Sequence, residues 1–213
     1  MFVQVIRGTV SDPSDVRSAL ESWGRDLAPT ASGWLGSTVG VTDDGTMVAV
    51  ARFDTEENAR RNAERPEHGR WWTELTEKLE SGATVDDSTD VNDYVAGELT
   101  TAGFVQVMQG RVTDLERALT LMQRRPDNLD EIRPDILGLL SIGHTDGRWT
   151  SVAYFTSEAE ARRHESQEPP PDFVAMMDEL MSISVGEPTY DDLRQVWFLT
   201  PESVRRGSIV GSS

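Results

Sequence analysis

The chain has 213 residues, a net charge of −17 and no cysteine. The lack of cysteine excludes disulfides, thiolate metal sites and cysteine nucleophiles. Both halves are acidic, with 19 acids against 9 bases in residues 1–102 and 18 against 11 in residues 103–213, so we expect no nucleic-acid partner. The sequence has neither an apolar run long enough to span a bilayer nor a signal-peptide pattern. We therefore expect a cytoplasmic protein with no membrane partner.

The two halves of the chain repeat one another. Residues 2–10 (FVQVIRGTV) and 104–112 (FVQVMQGRV) are identical at six of nine positions, and the shift from Phe2 to Phe104 is 102 residues. The same shift relates Gly36 to Gly138 and Phe53 to Phe155 without a gap. A repeat of this length indicates a duplicated domain and not a solenoid. The predicted organisation is a first unit over residues 1–95, a linker over 96–102, a second unit over 103–199 and a polar, weakly ordered tail over 200–213.

The first unit begins with a β-branched strand over residues 2–10. Ser11-Asp12-Pro13 is typical of a helix start. Apolar residues at helical spacing follow it, namely Val16, Leu20, Trp23 and Leu27. Two further strands, over residues 33–42 and 46–53, flank Asp43-Asp44-Gly45, which predicts a hairpin turn.

A second helix begins near Asp54, breaks at Pro66 and precedes a fourth strand near residues 85–95. The second unit repeats this pattern, with a break at residues 169–171 and a last strand near 187–199. The predicted fold is α+β: two tandem ferredoxin-like β-α-β-β-α-β units, each with a four-stranded antiparallel sheet and both helices on one face. Because the first strand is apolar on both sides, we predict that the sheets pack together as an intramolecular barrel. The chain is then a monomeric pseudo-dimer, or associates further through its outer helices.

Three segments carry a resemblance to a known family. They are the FVQV strands, residues 52–59 (RFDTEENA) with 154–161 (YFTSEAEA), and residues 65–68 (RPEH). Together they resemble the dimeric α+β barrel superfamily, and within it the antibiotic-biosynthesis-monooxygenase-like (ABM-like) domains. This superfamily includes cofactor-free monooxygenases of aromatic polyketides, heme-degrading oxygenases, heme peroxidases, lactone-forming enzymes and members without an assigned activity. The resemblance therefore implies the fold more strongly than the chemistry.

The heme-degrading members combine an Asn on the first strand, a Trp at the end of the third strand and a His after the helix break. The aligned residues in the first unit are Ile6, Phe53 and His68, so only the histidine is retained. The second unit has Met108, Phe155 and Pro170 at these positions and retains none of them. Heme degradation is therefore disfavoured, and we expect no cofactor.

His68 is the candidate catalytic residue, as a base or a polar group at a pocket rim. The alternative is a half-exposed surface histidine at a helix break. His144, at a hairpin tip, and His164, on a helix turn, are predicted to be surface residues. Three histidines so widely separated give no metal-ligand spacing, so we expect no metal site.

The candidate ligand-binding residues are Gln4, Trp34, Phe53 and Trp72. Gln4 and its equivalent Gln106 are polar residues on an apolar strand face, where each needs a partner, either a ligand or a buried backbone group. Aromatic residues at such spacings also suit an ordinary core. They are denser in the first unit, so we expect any ligand site to lie there.

Two functions remain open. In the first, the protein binds or oxidises a small apolar or aromatic molecule in a pocket between sheet and helices of the first unit, with at most a cofactor-independent monooxygenase-like activity. In the second, it is a non-catalytic structural or interaction protein whose pockets are filled by side chains. An open cavity of a few hundred Å³ lined by the candidate residues would favour the first function.

Overall fold

A computed structural model of the protein describes residues 1–80, 82–124, 128–207 and 209–211. The chain forms two compact units. The first unit is Met1–Thr89 with Leu193–Ser213, and the second unit is Asp90–Asp192. Three serines of the predicted tail, at positions 208, 212 and 213, lie outside the described residues.

Each half of the chain contributes strands and helices in the predicted order. The first half contains β1 (Phe2–Thr9), α1 (Pro13–Asp26), β2 (Trp34–Val41), β3 (Thr46–Phe53), α2 (Glu56–Ala63), α3 (Pro66–Thr76), β4 (Thr84–Ser88) and β5 (Val91–Val95). The second half contains β6 (Phe104–Arg111), α4 (Leu115–Gln123), α5 (Leu129–Ile132), β7 (Ile136–Gly143), β8 (Arg148–Phe155), α6 (Glu158–Glu165), α7 (Pro171–Ser182), β9 (Thr189–Leu193), β10 (Gln195–Leu199), α8 (Pro201–Arg205) and β11 (Val210–Gly211). The α+β fold with two antiparallel sheets is thereby confirmed.

The single fourth strand predicted for each half was wrong, because each of these segments forms two strands. In the first unit the sheet order is β11-β10-β2-β3-β1-β4, and in the second unit it is β5-β7-β8-β6-β9. Strand β4 pairs with β1, whereas β5 pairs with β7. Strand β10 likewise leaves its own half of the chain and pairs with β2. The breaks at Thr89-Asp90 and at Arg194 separate strands that belong to different sheets. The sheets therefore have six and five strands in place of four.

The strand register repeats at the spacing seen in the sequence. Phe2 pairs with Phe53 on the β1–β3 ladder, and Phe104 pairs with Phe155 on the β6–β8 ladder. Both sheets also have an irregularity near the start of the second strand of the repeat, between Trp34 and Gly36 and at the matching place in β7. The two halves therefore form their central strand pairs in the same way.

Local sequence signals account for the ends of the helices that carry the site. The Asp12 side chain accepts a hydrogen bond from the Ser14 backbone N–H at 2.8 Å and so caps α1. Thr55 caps α2 in the same way, through the Asn58 N–H at 3.2 Å. Pro66 occupies the first turn of α3, where no intrahelical hydrogen bond is lost. Helices α2 and α3 are thus separated at the predicted break.

Both faces of the first unit's sheet are buried, as the doubly apolar β1 predicts. Val3 and Val5 on one side of β1 are fully buried, as are Val48 and Val50 on β3. The other face carries a core cluster that includes Trp23. The packing of sheet against sheet as a barrel stays a prediction.

The C-terminal segment is more structured than a weakly ordered tail. Thr200 and Ser203 form a capping box that starts α8. Strand β11 pairs with β10, with Trp197 opposite Gly211. Val204 packs against the core of the first unit. These contacts order residues 200–207 and 209–211, the described part of the segment, despite its polar composition.

Candidate functional site

The first unit contains a cavity of about 330 Å³ between its sheet and helices α1, α2 and α3. The lining residues are Gln4, Ile6, Val16, Ala19, Leu20, Trp23, Ser37, Val39, Met47, Ala49, Ala51, Phe53, Asn62, Ala63, His68, Gly69, Trp71, Trp72, Leu75, Val85 and Leu199. Most of them are apolar, and a few polar side chains converge among them. Ala63, Gly69 and Val85 are exposed, so the cavity reaches the surface beside α3. This volume and lining are typical of a small-molecule site.

Four of the five predicted site residues line this cavity, namely Gln4, Phe53, His68 and Trp72. Trp34 is buried instead within the core, where its indole Nε1 donates to the Ser37 hydroxyl at 3.0 Å. It meets Trp23 edge to face, with ring centroids 4.6 Å apart. Trp23 is itself a lining residue. Trp34 therefore packs behind the cavity lining, against Trp23.

His68 lies in the first turn of α3, half-buried against Trp71 at a ring-centroid distance of 5.5 Å. Burial lowers the pKa of His68 below its ordinary value, and the nearby Arg65 charge lowers it further, while Glu67 opposes this shift. The imidazole is therefore neutral near pH 7 and able to accept a proton. Within the described part of the chain, it makes no hydrogen bond, so its ring nitrogens are available to a ligand.

The aromatic wall is formed mainly by α3. Trp71 and Trp72 have ring centroids 6.3 Å apart, and Trp71 lies 6.4 Å from Trp23. The Trp71 indole Nε1 donates to the Ala19 carbonyl at 2.9 Å, which ties α3 to α1. This bond fixes the orientation of the ring. The wall is thus held rigidly on two helices.

Gln4 has a structural partner that the sequence analysis did not identify. Its Nε2 donates to the Asp87 carboxylate on the neighbouring strand at 3.0 Å. Gln106 makes the same kind of bond to Asp192, at 2.8 Å. Because both units have it, this bond is a shared feature of the sheet edge. A carboxylate accepts only, so the bond leaves the Gln4 Oε1 as the group available to a ligand.

Asn62 on α2 is a lining residue that the sequence analysis missed. The residue is only 5% exposed, and its Oδ1 accepts a hydrogen bond from Arg65 Nη1 at 2.9 Å. The available signal was its spacing of three residues from Ala59, on the buried face of the helix. Trp23 and Trp71 also line the cavity, although neither was predicted as a site residue.

The surface positions predicted for His144 and His164 were wrong, because both side chains are buried. The His144 Nε2 lies 2.9 Å from the Thr150 hydroxyl across the hairpin. His164 Nδ1 lies 3.0 Å from an oxygen of Asp135, a fully buried carboxylate that Arg133 also binds through two hydrogen bonds. Both buried histidines therefore contact protein partners, and neither is a neutral control for His68.

Two features are absent from the residues that the structure describes. No group of three His, Cys, Asp or Glu side chains in those ranges is placed to hold a metal ion. None of the described helices combines the length and apolar character needed to cross a membrane.

The architecture described above is the ferredoxin-like α+β fold, and comparison with solved structures connects it to a class of proteins. A proposed monooxygenase from Lactobacillus acidophilus NCFM superposes with a TM-score of 0.69 at 12% identity, over 100% of this chain and 96% of that one. An anthrone oxidase-like protein gives 0.72 at 12% identity, over 94% and 93%. A ferredoxin-fold protein related to antibiotic biosynthesis monooxygenases, from Listeria monocytogenes, gives 0.50 at 11% identity, over 90% and 92%.

The chain therefore has the fold of the ABM-like ferredoxin-fold proteins over nearly its whole length. No family model matches the sequence, and no curated protein matches it. At these identities the likeness establishes the fold, and the chemistry has to be argued from the cavity itself.

Proposed function

We propose that this protein binds a small aromatic molecule in the cavity of its first unit and oxidises it with molecular oxygen, without a cofactor. The observation that carries the proposal is an open cavity of about 330 Å³ with Trp71 and Trp72 on its wall and His68 beside them. Flat aromatic side chains suit a flat aromatic ligand. The solved anthrone oxidase-like protein of the same fold suggests the type of reaction.

The proposed reaction begins at an acidic C–H group between two aromatic rings. The neutral imidazole of His68 removes this proton, and the resulting carbanion is delocalised over the rings. The carbanion transfers electrons to O₂ and forms a C–O bond. The resulting peroxide anion takes the proton back from the His68 imidazolium to give a hydroperoxide, which loses water to leave a carbonyl group. Overall, a CH₂ group and O₂ become a C=O group and H₂O. The apolar lining keeps bulk water away from these intermediates.

The charge state of His68 supports its role as the base. Burial and the Arg65 charge lower the pKa of His68, so the imidazole is unprotonated near neutral pH. Asp87 holds Gln4 on the sheet side of the same cavity. The alternative of a non-catalytic protein with filled pockets is less well supported, because side chains leave this cavity open.

The test uses anthrone as the probe, with binding followed by quenching of tryptophan fluorescence and turnover by oxygen uptake and anthraquinone absorbance. His68→Gln keeps a polar side chain but removes the base, so we expect turnover to fall by about 100-fold or more while binding changes little. Glu74→Ala, an exposed position on the same helix, is the matched control and should behave as the wild type. Wild-type turnover in His68→Gln, or no binding of anthrone to the wild-type protein, would overturn the proposal.

A further inference from the structure

The amide of Asn62 has a fixed polarity. An asparagine side chain offers an acceptor oxygen and a donor NH₂ group, and its partners decide which way each group points. The guanidinium of Arg65 can only donate, so its bond to Asn62 fixes Oδ1 on the Arg65 side. The NH₂ group therefore points away from Arg65. Since Asn62 lines the cavity, this NH₂ group is the polar group that the residue can offer to a ligand.

This donor has no acceptor among the residues that the structure describes. Only 5% of Asn62 is exposed. Its Nδ2 is not among the fully buried side-chain atoms that lack a partner in the described ranges, so this nitrogen keeps accessible surface. A ligand that covers this donor without offering an acceptor leaves it unsatisfied, which is unfavourable.

Arg65 is held firmly enough to maintain this orientation. Its Nη1 also donates to the Leu27 carbonyl at 3.2 Å, and its Nη2 donates to the Thr30 hydroxyl at 2.7 Å. Its Nε donates to Glu67 at 2.9 Å. The side chain is only 17% exposed. The guanidinium thus links the end of α1, the end of α2 and the start of α3, and its position does not depend on Asn62 alone.

The second unit lacks this arrangement. A shift of 102 residues places His164 at the position equivalent to Asn62. His164 Nδ1 is close to the buried Asp135 carboxylate and to the Glu160 carbonyl, and Nε2 lies 3.1 Å from Arg163. Both ring nitrogens therefore have protein partners. The free amide donor is a feature of the first unit, where the open cavity also lies.

We propose that Asn62 is a specificity-determining residue that donates a hydrogen bond from Nδ2 to a carbonyl or phenolate oxygen of the ligand, and that Arg65 is its positioning residue. This inference rests on the proposed function and adds the class of ligand: an aromatic molecule that carries an oxygen acceptor. When a proton is removed from a ring-flanked carbon conjugated to that oxygen, negative charge moves onto the oxygen. The Asn62 donor then stabilises the anion that His68 generates.

The experiment compares two probes that differ only at that oxygen. Anthrone carries a carbonyl group where 9,10-dihydroanthracene carries a CH₂ group, and both are titrated into the wild type and two Asn62 variants. Asn62→Asp keeps the shape and the Arg65 contact but replaces the donor by an acceptor. Asn62→Leu is neutral and of similar size, so it separates the loss of the donor from the added charge.

We expect both variants to bind anthrone about tenfold more weakly, because its buried carbonyl loses its donor, and to bind dihydroanthracene within about twofold of the wild type. Thr73→Asp adds the same charge at an exposed position of α3 and should leave both affinities unchanged. Arg65→Lys should also lower the ratio of the two affinities, since one ammonium group cannot make the four bonds of the guanidinium. A structural role alone would weaken both probes equally.

Two results would overturn the inference, and they differ from each other. If the wild type binds both probes and the Asn62 variants keep the wild-type ratio of affinities, the role of Asn62 is refuted while the aromatic-binding function stands. If the wild type binds neither probe, the proposed function fails and the role of Asn62 fails with it.

Discussion

Filling the cavity by a single substitution is the most informative perturbation of this fold, because the chain contains its own control. Ala51 pairs with Gln4 on the β1–β3 ladder and lines the cavity. Ala153 pairs with Gln106 at the same place in the second unit, but it is 3% exposed and packs in a cluster with Phe104 and neighbouring core residues. Substituting leucine adds the same three carbon atoms at both positions, into open space at one and into a packed core at the other.

The expected energies have opposite signs. Burying three more carbons in open space stabilises by up to about 2.4 kcal/mol, at about 0.8 kcal/mol for each carbon, so Ala51→Leu should be neutral or stabilising. Overpacking at a close-packed site costs about 1–3 kcal/mol, so Ala153→Leu should be destabilising. Since 1 kcal/mol shifts the Tm by about 2–4 °C for a chain of this size, circular dichroism melts resolve the difference. Ala51→Leu should also lose anthrone binding. If Ala51→Leu destabilises as much as Ala153→Leu, the cavity is not open space and the reasoning fails.

Three further predictions concern stability. Because the pKa of His68 in the folded state lies below its ordinary value, the stability that the neutral imidazole contributes is present above about pH 6.5 and is lost as the pH falls through the folded pKa. Chemical denaturation at about pH 7.5 and about pH 5 should therefore show that the free energy of unfolding falls more for the wild type than for His68→Gln. Equal falls would contradict the lowered pKa. Asp135→Ala removes a fully buried carboxylate and should lower the free energy of unfolding by about 3–5 kcal/mol. Asp146→Ala removes one partner of an exposed ion pair and should lower it by less than about 1 kcal/mol. Similar urea midpoints for the two variants would contradict this prediction. Thr55→Ala and Ser157→Ala remove equivalent N-terminal caps of α2 and α6 and should each lower the free energy of unfolding by about 1 kcal/mol. If neither variant changes the urea midpoint, the caps do not contribute to stability.

The sequence predicted the fold well where signals are local. The hairpin turn at Asp44-Gly45, the cap at Asp12 and the break at Pro66 all lie where their residue types require them. These signals work because each depends on the dihedral angles or hydrogen bonds of a few consecutive residues. The strand order could not be predicted in this way. Residues 85–95 were predicted as one strand, and no local property shows that β4 and β5 pair in different sheets.

The candidate site was predicted in part for the same reason. His68 could be placed beside a pocket because it directly follows a helix break and precedes two tryptophans. The burial of His164 depends on Asp135, which is 29 residues earlier in the chain, and no local pattern indicates that pair. The fixed amide of Asn62 depends on a side-chain bond to Arg65, which becomes visible only once α2 and α3 are placed. Trp34 is an aromatic residue of the type expected at a ligand site, but its side chain is buried in the core.

The central claim is that an aromatic molecule occupies the cavity of the first unit, and alanine methyl NMR tests it most directly. Ala49, Ala51 and Ala63 line the cavity, whereas Ala153 and Ala161 are buried in the core of the second unit. In protein labelled with ¹³C at alanine methyl groups, titration with anthrone should shift the three cavity signals by ring-current effects and leave the other two unchanged. Shifts confined to Ala153 and Ala161, or no shifts at saturating anthrone, would contradict the account.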